Sequence, residues 1–80
     1  MYIQELEKLI DGKRESLVFS NKVSRDTLIE ELFSIFFSLG HIPKGEFIND
    51  NPSYLVYDLH SEESSIRVVE FSDKLILMRL

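Results

Sequence analysis

The stretch Ser65–Leu80 reads SIRVVEFSDKLILMRL. Two apolar runs flank a polar break at Ser72-Asp73, which places a β-hairpin at this end of the sequence. A strand with one solvated face alternates apolar and polar residues, and these runs scarcely alternate. Pairing Ile66–Phe71 with Lys74–Leu80 across a Ser72-Asp73 loop puts Val69, Phe71, Ile76 and Met78 on one face. The other face carries Ile66, Val68, Leu75 and Leu77, with Glu70 and Arg79 at its margins. How the rest of the chain covers these two faces decides the fold.

Before the hairpin, Tyr54–His60 alternates with Leu55, Tyr57 and Leu59 on one side, and Ser61–Ser64 reads as a turn. Ile42–Pro52 reads as a loop, because Pro43-Lys44-Gly45 and Asn49-Asp50-Asn51-Pro52 are both turn signals. Phe47 and Ile48 are expected to fold back onto the core. Further upstream, Ser24 is a natural N-cap and Asp26 suits the positive end of a helix. Thr27 to Glu30 also fits a capping box. That helix runs to about Leu39, with Gly40 after it and Pro43 beyond. Leu28, Leu32, Ile35, Phe36 and Leu39 form its stripe, which Ile29, Phe33 and Phe37 widen. Tyr2–Asp11 places Ile3, Leu6, Leu9 and Ile10 at helical spacing, and Gly12 supplies the stop. Between the helices, Leu17 and Phe19 alternate with Val18 and Ser20 in a short strand.

The expected architecture is a single α+β domain over residues 1–80, in the order α-β-α-β-β-β, with two helices packed on an antiparallel sheet. Two helices cover one face. Taking Val69, Phe71, Ile76 and Met78 as the covered set leaves Ile66, Val68, Leu75 and Leu77 for the Ile42–Pro52 loop or for another chain. Monomers seldom expose a large apolar patch, so this set is the expected anchor of an interface. Glu62, Glu63 and Glu70 would form its acidic rim.

Eighty residues make one modest core. The absence of cysteine excludes disulfide staples and thiolate zinc sites. Fourteen acidic against nine basic side chains argue against direct binding to nucleic-acid phosphates and suit a protein partner with a basic surface. The start MYIQELEKLI has carboxylates where a secretory signal carries cations, and the Leu28–Leu39 run is too short and too polar to span a bilayer. A cytoplasmic protein without a membrane partner is expected.

Catalytic chemistry finds little support. His41 follows Gly40 and reads as a solvent-exposed residue at the helix end. His60 shares a strand face with Asp58 and lies beside Glu62 and Glu63, a weak arrangement for a metal or for acid–base work. There is no Gly-x-Ser-x-Gly elbow, phosphate loop or His-Glu-x-x-His motif. The expectation is a protein that is not an enzyme and uses no metal or cofactor.

Gly12-Lys13 with Leu17-Val18, the second helix with Glu30-Glu31, and the run from Tyr54-Leu55-Val56 through Ser61-Glu62-Glu63-Ser64 to Ser72-Asp73 carry a resemblance. In these pieces, scattered over most of its length, the chain resembles the phage uracil-DNA glycosylase inhibitors, acidic proteins with two helices and an antiparallel sheet that copy DNA. The family's Gln-Glu-Ser-Ile edge motif falls near Ser20-Asn21-Lys22-Val23, where no glutamate stands. The chain is also about one strand shorter than those inhibitors and less acidic. The resemblance implies a small, phage- or mobile-element-encoded protein that binds and inhibits a cellular protein. The alternative is a self-associating structural or ligand-binding subunit, a homodimer through the C-terminal hairpin.

Overall fold

The first helix, α1 (Ile3–Asp11), turns Leu6, Leu9 and Ile10 inward. It stops where Gly12 adopts φ +84°, a left-handed conformation that glycine takes at little cost. Lys13 and Arg14 then donate back to the Lys8 carbonyl. In the second helix, α2 (Arg25–Ser38), the Ser24 hydroxyl accepts from the Thr27 amide. Its far end closes in the same manner, with Gly40 at φ +83° and the His41 amide donating to the Phe36 carbonyl. Leu28, Leu32, Ile35 and Phe36 are buried, while Leu39, at the cap, faces outward. The structure is a computed structural model and describes residues 3–20, 23–51 and 53–80. Tyr2, Asn21, Lys22 and Pro52 lie outside the described residues.

Five strands form one antiparallel sheet: β1 (Ser16–Ser20), β2 (Lys44–Asn51), β3 (Tyr54–His60), β4 (Ser65–Glu70) and β5 (Lys74–Arg79). Their spatial order is β1-β5-β4-β3-β2. The chain is α+β in the order α-β-α-β-β-β-β, one strand more than expected. The addition is β2, which occupies most of the presumed Ile42–Pro52 loop. Two features hide it from a pattern reading. A register shift between Phe47 and Asn49 breaks the alternation at Ile48. Gly45 leaves room for the Tyr57 side chain, whose hydroxyl would collide with any Cβ at that position. Phe47 and Ile48 remain largely exposed instead of folding back onto the core.

The hairpin pairs as expected, with Phe71 donating to the Lys74 carbonyl across Ser72-Asp73. Its faces are the reverse of those expected. Ile66, Val68, Leu75 and Leu77 are fully or almost fully buried and join Leu17, Leu59 and the helical residues in one core. They do not form an open anchor. The physical reason is charge: Arg67 alternates with Val69, and Lys74 with Ile76, so the opposite face carries cations that a helix-covered face cannot solvate.

At the edge of the core, the Arg79 guanidinium reaches the C-terminal carbonyls of α1. It donates to Leu9 at 3.2 Å, to Ile10, and to the Ser64 hydroxyl at 2.8 Å. The Ser64 hydroxyl in turn donates to Ile10 at 3.0 Å. A cation at the negative end of a helix stabilises it, so this contact fastens α1 to the last strand.

Phe36→Ala should lower the unfolding free energy by about 3–5 kcal/mol in urea titration, since it empties a fully buried ring site. Leu77→Glu should abolish the cooperative transition altogether, because it buries an unpaired charge.

Candidate interaction surfaces

The helices leave the second face of the sheet bare. Cross-strand register sets most of its side chains in three rows that run across the strands, with Lys44, His60 and Ser65 in a fourth at one end. The central row is Val18, Ile76, Val69, Val56 and Asn49, in the order β1, β5, β4, β3, β2. One flanking row is Ser16, Met78, Arg67, Asp58 and Glu46. The other holds Ser20, Lys74, Phe71, Tyr54 and Asn51, with the Phe71 and Tyr54 ring centroids 6.1 Å apart. Lys74 Nζ stands 5.6 Å over the Phe71 ring. Val56 is 8% exposed yet lies outside the core cluster. Val18 is 66% exposed.

Charge is neutralised within this face. Asp58 is only 2% exposed and is held by Arg67 through two parallel bonds, Nε to Oδ1 at 2.8 Å and Nη2 to Oδ2 at 2.9 Å. This fork is the strong form of an ion pair. The hydrogen bond to Asp58 raises the Arg67 guanidinium above its ordinary pKa, outweighing the effect of burial. His60 Nε2 lies 3.7 Å from both Asp58 Oδ2 and Glu46 Oε1, while its Nδ1 meets the Ser65 hydroxyl at 3.0 Å. Glu46 and Asp58 stand directly opposite each other on β2 and β3, a like-charge pair that the Arg67 fork on Asp58 relieves.

The helical layer is acidic. Across α1 and α2, Glu5, Glu7, Asp11, Asp26, Glu30 and Glu31 outnumber Lys8 and Arg25. Glu7, Asp11, Asp26 and Glu30 are exposed. On the bare sheet face Glu46 and Asp58 meet Lys44, Arg67 and Lys74, which leaves that side close to neutral. The net charge of −5 is therefore unevenly spread.

Of the expected rim, Glu62 and Glu63 are exposed in the β3–β4 turn. With Glu46, Lys44 and His60 they line a cleft of about 790 Å³ beside Gly40 and Ile42. Glu70 sits on the core side of β4 and pairs with Arg25 at 3.0 Å, which ties α2 to the sheet. It belongs to the fold and not to a rim. His41 is not a free cap residue. Its ring packs 5.5 Å from Phe36, its Nδ1 lies 3.3 Å from the Ser61 hydroxyl and its Nε2 3.8 Å from Glu63. Among the described residues no three His, Cys, Asp or Glu side chains are grouped to hold a metal ion, and no helix is long and apolar enough to cross a membrane.

The anchor set of four aliphatic residues thus moves into the core, and Val18, Val56, Val69, Ile76 and Met78 take the open face. The signal that separates the sets is the company each keeps. Arg67 and Lys74 alternate in phase with Val69 and Ile76, whereas Ile66, Val68, Leu75 and Leu77 share their phase only with Glu70 and Arg79 at strand ends. No family model, curated protein or solved structure matches this chain.

Removing Arg67 alone leaves a buried carboxylate without its fork. Arg67→Ala should cost about 1–3 kcal/mol in urea unfolding. The double variant Asp58→Val/Arg67→Val should recover most of that loss, because it removes both partners.

Proposed function

We propose that the chain is an acidic, non-catalytic interaction protein that binds the basic surface of another protein and blocks it. The observation that supports this reading is the partition of charge. Six carboxylates against two cations lie on the two helices, with four of those carboxylates exposed, while the opposite side of the molecule is near neutral. A one-sided acidic layer attracts a basic partner at long range and orients it before contact. Grooves that hold nucleic-acid phosphates are lined by lysine and arginine, so they are the class of surface such a layer fits. The exposed Glu62 and Glu63 extend the acidic margin at one end of the sheet.

Capture with tagged protein from its source cells tests this, run at low and high salt and beside a Glu7→Lys/Glu30→Lys variant. Both side chains are exposed, so the fold should tolerate the change. The expected result is a stoichiometric partner held at low salt, released at high salt, and lost by the variant. A partner held equally well by the variant, or no partner at either salt, would overturn the reading.

A further inference from the structure

We propose that a second copy of this chain covers the bare face of the sheet, making a face-to-face dimer with the acidic helices turned outward. The central row, Val18, Ile76, Val69 and Val56, is an apolar strip spanning four strands, exposed at Val18, half-buried at Ile76 and Val69 and buried at Val56, and none of its members joins the core cluster. Two sheets that pack face to face lie about 10 Å apart and interdigitate such side chains.

Electrostatics selects a second copy as the occupant. Two copies of a chain with net charge −5 repel through most of their surface. The sheet face is where that repulsion is least, since Glu46 and Asp58 are balanced there by Lys44, Arg67 and Lys74. Asp58 and Arg67 already neutralise each other, so burying them leaves neither charge unpaired.

Symmetry selects the arrangement. A two-fold axis parallel to the strands would set Arg67, on the central strand β4, against Arg67 of the second copy. An axis along the apolar row instead lays that row on its own equivalent and exchanges the flanking rows. Arg67 then faces Phe71 of the second copy, a cation over an aromatic ring. Lys74 faces Met78, Asp58 faces Tyr54 and Glu46 faces Asn51, so no like charges meet. Five strands at about 4.8 Å spacing and about 20 Å long give a footprint of roughly 480 Å² per copy. The two together approach about 1,000 Å², the floor for a biological interface and the size of a weak, reversible one.

Light scattering behind size exclusion tests this on the whole chain. The expected mass is twice the 9.4 kDa of one chain. Val69→Lys, at the centre of the face, and Val18→Lys, at its end, should each shift the protein to the single-chain mass with an unchanged circular dichroism spectrum. Val18 is already 66% exposed, so its substitution spares the fold and decides the matter should Val69→Lys unfold. A wild-type protein that stays monomeric at roughly 100 μM overturns the proposal. A dimer that survives Val18→Lys does the same. Masses that climb beyond two copies with concentration would point to pairing at the β1 and β2 edges and reject the face-to-face dimer.

Discussion

Two short helices cannot cover both faces of a five-stranded sheet. Helices pack about 8–10 Å apart, so a pair spans roughly the width of the sheet on one side and nothing remains for the other. Every other feature follows from which face they take. The covered face must be free of charge away from its strand ends, and Ile66, Val68, Leu75, Leu77, Leu17 and Leu59 meet that condition. The bare face must carry its own solvation, and the Asp58–Arg67 fork with His60 and Glu46 supplies part of it.

The polar contacts that hold the two layers together lie at the rim of the core. Arg79 and Ser64 grip the end of α1, and Arg25 joins the start of α2 to Glu70 while standing 5.9 Å over the Phe47 ring. Each uses a charge at a helix terminus or a strand end, where the long side chain keeps partial access to solvent. The interior is left to aliphatic residues and Phe36. Among the described residues the one carboxylate that is almost fully buried, Asp58, faces the opposite side of the sheet.

The same division bears on function. Acid collects on the helical layer, where exposed side chains are free to vary without disturbing the core. The bare sheet face keeps a row of β-branched residues, which favour strands and suit packing against another surface. One side of the molecule is thus suited to electrostatic attraction and the other to burial, and the two are physically separate. A protein with a core this small gains from any surface that covers the second face.

Local chemistry was legible in the sequence. Gly12 and Gly40 end their helices, Ser24 caps α2, the stripes of α1 and α2 point inward except at Phe37 and Leu39, and the Ser72-Asp73 loop sets the hairpin register. These depend on residues a few positions apart. The strand β2 was hidden because its bulge at Ile48 breaks the period and its Gly45 is explained only by Tyr57 on the neighbouring strand. The choice of sheet face was decided by tertiary structure. Both sets of the hairpin are apolar, and the phase of Arg67 and Lys74, the signal that separates them in the sequence, is blurred by Glu70 and Arg79 in the opposite phase. The balance tips only when Arg67 meets Asp58 across β3 and β4, and when Arg79 finds the end of α1, nearly seventy residues away in sequence. Pairings at such separation exist only once the chain has folded, and here they determine which apolar row becomes core and which stays on the bare face of the sheet.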